Sequence, residues 1–368
     1  MAVAAPHQTA RTTATTPRAV GIWLLVCCAM IFAMAVIGAI TRLTESGLSI
    51  MEWAPLAGSL PPLSQAEWQR LFELYRTIPE YQEINRGMSL AEFKEIFWWE
   101  WVHRLWGRLI GVVFLLPFLW FWLSGRLPRG LAPYLWLAFG LGALQGFMGW
   151  FMVASGFAER TDVSQYRLAM HLGLALVIYS YLFWLALGLL RPAEQGKADV
   201  AIAPPPSRAR LIGFCVLLAL TILAGAFVAG LNAGLTYNTF PLMDGDIVPA
   251  GYGELSPWPL NFFENIAAVQ FNHRLLAIAT LVAAALLWAW SRQAALGRGL
   301  RRAYDRVAVV ALAQVGLGIW TLLAVVPVWL GALHQSGAIV LMTASLDTLN
   351  RYSTAKHPSY RRKIWPSC

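Results

Sequence analysis

Charge is what this sequence has least of. Only 13% of its 368 residues are Asp, Glu, Lys or Arg, against roughly 25% in a soluble protein. Hydrophobic residues make up 58% and mean hydropathy is +0.55, so the bilayer is read as the solvent. Cysteine is sparse too. Cys27, Cys28 and Cys215 sit in apolar runs and Cys368 is the last residue, so no structural disulfide is expected. No CxxC or CxxCH occurs, which excludes a zinc ribbon and covalent c-type haem. The net charge of +9 could suit nucleic acid, but no basic run is interleaved with polar base-reading residues. Nucleic acid is therefore dropped as a partner.

What is present is a series of apolar runs of about 20 residues, the length that crosses a bilayer. Eight fall near 20–40, 102–123, 132–154, 167–190, 209–230, 266–290, 304–325 and 327–346. The last two are divided only by Val326 and Pro327. With the N-terminus inside, the inner segments collect about 18 of the 28 basic residues but only four acids, Glu194, Asp199, Asp305 and Asp347. That asymmetry places both termini in the cytoplasm. The Ala- and Thr-rich tail 1–19 reads as cytoplasmic, an organelle transit peptide being the other reading. Pro192 and Pro204 to Pro206 mark 191–208 as a cytoplasmic linker between halves 20–190 and 209–346, and 347–368 as a second cytoplasmic tail. In the large outer loop 41–97, Ser64 to Glu67 and Ser89 to Glu92 read as capping boxes that start interfacial or lid helices. The outer loop 231–265 reads as irregular.

The halves repeat each other. Trp101–Val102–His103–Arg104–Leu105 answers Phe271–Asn272–His273–Arg274–Leu275. Gln145 and Gly149 answer Gln314 and Gly318, His171 answers His334, and Ser46–Gly47–Leu48–Ser49 answers Ala233–Gly234–Leu235–Thr236. The expected fold is thus all-α and polytopic, with eight transmembrane helices in two pseudo-symmetric four-helix bundles.

His7 and His357 lie in the tails. The other four histidines each lie on an even-numbered span in the outer half of the membrane. A lone intramembrane histidine is most often a hydrogen-bonded core residue. Two per repeat at one depth fit axial ligation of a haem from facing helices. Arg104 and Arg274 follow their histidines and could pair with haem propionates, or snorkel to the interface. Glu100 is three residues before His103, on the same helical face, where the second half has Gln270. A carboxylate there could accept a proton or bind a reacting intermediate, or be an ordinary interfacial charge. A bis-histidine cytochrome b acting only in electron transfer is the alternative. A repeat-built transporter ranks last, because few polar residues lie at mid-membrane.

Thr41 to Ser49, Asn85 to Ser89, Phe97 to Arg104, Tyr237 to Gly245 and Gln270 to Arg274 resemble the haem A synthase family, in its alpha-proteobacterial and mitochondrial branch. The resemblance runs from about residue 20 to 350. It implies an oxidoreductase of the bacterial inner membrane, or the mitochondrial one, that turns a porphyrin methyl group of haem O into the formyl group of haem A. Successive hydroxylations give an alcohol and then a gem-diol, which loses water. By the family pattern His103 and His171 ligate the substrate haem, His273 and His334 hold a haem B cofactor, and Glu100 is the catalytic glutamate. The farnesyltransferase that makes haem O and the cytochrome oxidase assembly factors are the implied partners, with a homo-oligomer left open. Some bacterial members carry a cysteine pair in the first outer loop. This chain has none there, so the electron acceptor is open.

Overall fold

The computed structural model describes residues 16–54, 57–157, 161–191, 207–294 and 296–356. The expected linker, most of both tails, His7 and His357 lie outside them. No strand occurs among the described residues. The long helices are α1 (Thr16–Leu43), α3 (Leu90–Leu123), α4 (Ala132–Val153), α5 (Gln165–Leu190), α6 (Arg208–Gly230), α8 (Ile266–Gln293), α9 (Arg298–Leu323) and α10 (Val328–Lys356), with α2 (Gln65–Tyr75) and the short α7 (Asn261–Glu264) between them. A chain in lipid must satisfy every backbone N–H and C=O internally, and a continuous helix does so.

Seven of these helices, all the long ones but α10, are long and apolar enough to cross a membrane. Helix α10 has 29 residues, but His334, Gln335 and Ser336, then Asp347, Asn350 and Arg351, dilute its apolar run. It also continues to Lys356, so the first part of the expected C-terminal tail is helical.

Helix α1 packs on α3 and α5, and α4 packs on both of these. Helix α6 packs on α8 and α10, and α9 packs on the same two. Contacts of α1 with α10 and of α5 with α6 and α10 join the two sets. A tight apolar core lies at the end away from the long loops, built from Val20, Leu24, Phe118, Leu135, Leu182, Ala186, Leu211, Phe214, Leu218 and Leu341. At that end Asp347 receives Arg191, Arg306 and Arg351, tying α5, α9 and α10 together. Side chains such as Leu116, Leu123, Val216, Val282 and Leu312 are exposed, as a face turned to acyl chains requires.

Toward the long loops the packing changes. Residues 31–38 of α1 and 101–108 of α3 are half-buried at every position. A helix packed on one side alternates buried with exposed positions. These turns are packed less tightly than the core at the other end. His103, His171, His273 and His334 all lie in this end of the helices.

Over that end sits a second apolar cluster. Trp68, Phe72 and Tyr75 of α2 pack with Leu48, Ile78, Phe93, Phe97 and Val163. Ser64 caps α2, its Oγ accepting from the Glu67 N–H at 3.2 Å. The Ser89 box is complete, with Glu92 N–H donating to Ser89 Oγ at 3.3 Å and Ser89 N–H to Glu92 Oε2 at 2.7 Å. The box does not start a separate interfacial helix. It opens α3 itself, 34 residues or about 50 Å of helix, because no Pro or Gly interrupts 90–106. Loop 231–265 is irregular apart from single turns at 233–235 and 258–260 and the short α7.

Within this outer cluster Glu80 is 4% exposed. Tyr75 Oη donates to its Oε1 at 3.3 Å, and Oε2 has no partner. Burial pushes the carboxyl up to about 8. Nearby negative charge on Glu100, Asp162 and Glu45 adds to this, and the Tyr75 hydrogen bond opposes it. A carboxyl raised on folding holds an extra proton in the folded state between the unfolded and folded values. Its contribution to stability is therefore lost as pH rises through that window. Protease resistance of the outer segment is expected to fall between about pH 5 and about pH 8 and to flatten in Glu80→Gln. The same pH dependence in both proteins would refute this.

Candidate functional site

Each histidine ring is seated against a glycine of a neighbouring helix. A Cβ on Gly38 of α1 would stand 3.5 Å from His103 Nε2, and one on Gly149 of α4 would stand 3.2 Å from the His171 ring. In the second set Gly225 of α6 backs His273 at 3.0 Å and Gly318 of α9 backs His334 at 2.7 Å. At 2.7 Å any side chain on residue 318 would displace the ring. Sequence reading missed Gly38 and Gly225, although the signal was present. Each precedes by nine residues the glycine of a paired landmark, Gly47 and Gly234.

His273 and His334 face each other. Their ring centroids are 6.4 Å apart and their planes cross at 87°. His273 Nδ1 lies 3.1 Å from the Thr221 carbonyl oxygen. An Nδ1–H donated there leaves Nε2 with its lone pair free, as a metal ligand needs. His103 and His171 are electrostatic neighbours on α3 and α5. Gln145 Nε2 stands 3.1 Å from His171 Nδ1 and Gln314 Nε2 stands 3.1 Å from His334 Nδ1. Among the described residues no three His, Cys, Asp or Glu side chains gather around a common point.

Glu100 is 2% exposed and fully engaged. Its Oε2 accepts from Ser49 Oγ and from the Ile50 N–H, both at 2.7 Å. Its Oε1 accepts from Arg104 Nε at 3.0 Å and Nη2 at 2.6 Å. Arg104 also donates to the carbonyls of Ile50 at 2.5 Å and Glu52 at 3.0 Å. The pair thus pins segment 49–52 across the outer end of α3. The second half has the same device with donors and acceptors exchanged. Gln270, also 2% exposed, donates to the carbonyls of Ala233 and Tyr237 at 3.0 and 3.2 Å. Arg274 donates to Gln270 Oε1 at 3.3 Å and to the carbonyls of Tyr237 and Thr239. Glu100 and Gln270 therefore differ partly because one loop offers donors and the other carbonyls. Ser49 and Ile50 were not foreseen as its partners, since they lie some 50 residues away in sequence.

Interior imidazole pairs on long apolar helices, beneath a helical cover, define a polytopic helical membrane protein with two candidate metal-ligand pairs. The COX15-CtaA family, described as cytochrome oxidase assembly protein, matches residues 21–346. A heme A synthase of Rhodospirillum centenum is 57% identical over 339 residues, covering 92% of this chain and 89% of that protein. Those of Paramagnetospirillum magneticum and Nitrosospira multiformis are 51% and 49% identical, covering 90% and 89% of this chain and 93% and 91% of their own lengths. The chain belongs to the COX15-CtaA family.

Proposed function

We propose that this chain is a haem A synthase, an oxidoreductase that converts the methyl group of haem O to the formyl group of haem A for terminal oxidase assembly. The His273–His334 pair is the observation that carries its haem-binding part. Metal–nitrogen bonds of about 2 Å, with about 1 Å from each nitrogen to its ring centre, set two axial imidazoles about 6 Å apart. The observed 6.4 Å fits one iron between the rings. His273 and His334 would hold haem B, which supplies a one-electron redox centre. His103 and His171 would hold haem O, the substrate, between α3 and α5. The names of the relatives, at about half identity over most of the chain, support the activity.

In this reading α10 is the eighth span and the helices form two pseudo-symmetric four-helix bundles, 20–190 and 209–346. The repeated glycine–histidine seats and arginine pins support that symmetry. Both termini lie on the cytoplasmic side of the inner membrane, as the arginines around Asp347 suggest. Glu100 is the catalytic glutamate, one turn from His103, its carboxylate held in a single orientation by Ser49, Ile50 and Arg104. Arg274 keeps a buried Nε–H without a partner, a donor suited to a haem propionate. Arg104 would have to release a loop carbonyl to do the same.

Expression in a host that makes haem O but no haem A tests the activity. Haem A is expected among the extracted pigments. Haem O and haem B alone, from membranes containing the folded chain, would overturn the proposal and favour a purely electron-carrying cytochrome.

A further inference from the structure

The glutamine–glycine landmark common to both halves has a structural use at the histidines. Gln145 precedes Gly149, and Gln314 precedes Gly318, by one helical turn. The glycine makes room for a histidine ring and the glutamine reaches over it. Gln314 Nε2 donates to the His334 carbonyl at 2.8 Å and stands 3.1 Å from its Nδ1. Gln145 Nε2 stands 3.1 Å from both the carbonyl and Nδ1 of His171, and 3.2 Å from its Nε2. In each glutamine the other amide atom, Oε1, is buried without a partner. A helix clamp alone needs only the bond to the histidine carbonyl. It explains neither the approach to the ring nor the orphaned oxygen, and both occur twice.

An imidazole that ligates iron through Nε2 carries its proton on Nδ1, and that proton needs an acceptor. His273 has one in the Thr221 carbonyl. For His334 and His171 the group at Nδ1 is an amide, which holds a donor and an acceptor on one planar head. With its NH2 on Nδ1, the glutamine suits a ring whose proton is on Nε2. Turned by half a rotation, it gives up its bond to the histidine carbonyl and offers Oε1 to an Nδ1–H, leaving the imidazole Nε2 unprotonated. We propose that Gln314 is a positioning residue that holds the non-ligating nitrogen of His334 and selects the tautomer able to bind iron.

The inference rests on the bis-histidine reading above. An acceptor on Nδ1–H makes the imidazole a stronger electron donor and favours ferric iron. Removing it should raise the midpoint potential of the b haem. The test is a redox titration, with a low-temperature electron paramagnetic resonance spectrum, on the purified full-length protein and on two variants. Gln314→Met is close in shape and has no acceptor of comparable strength. It should keep its haem, titrate at a higher potential and show an altered low-spin signal. Gln314→Glu keeps an oxygen at that place and should titrate at or below the parent potential. Full haem with the parent potential in Gln314→Met, or a rise in both variants alike, would overturn the inference. Failure of the underlying reading looks different, because His334→Ala would then keep the parent haem content and spectrum.

Discussion

His334→Ala is expected to abolish the low-spin b-type spectrum of the purified protein. The ring it removes is one of two whose centroids lie 6.4 Å apart, and iron left with His273 alone becomes five-coordinate or is lost. His334 is seated on Gly318 and its ring is approached by Gln314. The helix should survive, since alanine is the best helix former and Gln314 can still donate to the residue 334 carbonyl. The readout is haem per polypeptide together with the visible spectrum. Chain that is correctly inserted but lacks low-spin haem supports the assignment, and a parent spectrum contradicts it. His273→Ala should behave alike. His103→Ala and His171→Ala should spare the b haem and lose bound haem O, so the two pairs separate by pigment.

Glu100→Gln is expected to keep both haems and lose most product. General acid–base catalysis typically contributes about 100- to 10,000-fold, so haem A output should fall by at least about 100-fold while haem O or a hydroxylated haem accumulates. A structural role must be separated from this one. Glutamine at 100 can accept from Arg104, but its NH2 then meets the Ile50 N–H, so segment 49–52 loosens. The variant Ser49→Ala removes one loop hydrogen bond and leaves the carboxylate. If Glu100 acts only by pinning the loop, Ser49→Ala should show a graded form of the same defect, with intermediate ratios unchanged. If the carboxylate handles the proton, only Glu100→Gln should accumulate the intermediate. Normal haem A output from Glu100→Gln would defeat the catalytic role.

The helical class was legible, and the histidines stood out as candidates, because lipid simplifies the code. Runs of about 20 apolar residues sit against a background in which any His, Gln or Glu stands out. Seven runs appear as helices that qualify as spans. The run around His334 is harder to read because His334, Gln335 and Ser336 make it polar. Local signals worked where the chemistry is local. The Ser89 box marks the true start of a helix, but the end of that helix is not announced by breakers, since Gly107, Gly111 and Pro117 all lie inside it. Non-local contacts were not legible. Nothing near Ser49 in sequence announces that its hydroxyl meets Glu100, nor that Thr221 offers its carbonyl to His273. The glycine seats were readable in principle, but among 30 glycines the spacing of Gly38 and Gly225 stands out only once their histidine partners are known.

The most direct test of the central claim is a low-temperature electron paramagnetic resonance spectrum of the oxidised protein. Two imidazoles on one iron with planes at 87° predict a highly anisotropic low-spin ferric signal that disappears in His273→Ala and in His334→Ala. A b haem that is high-spin in the parent protein, or a low-spin signal that survives both substitutions, would contradict the account.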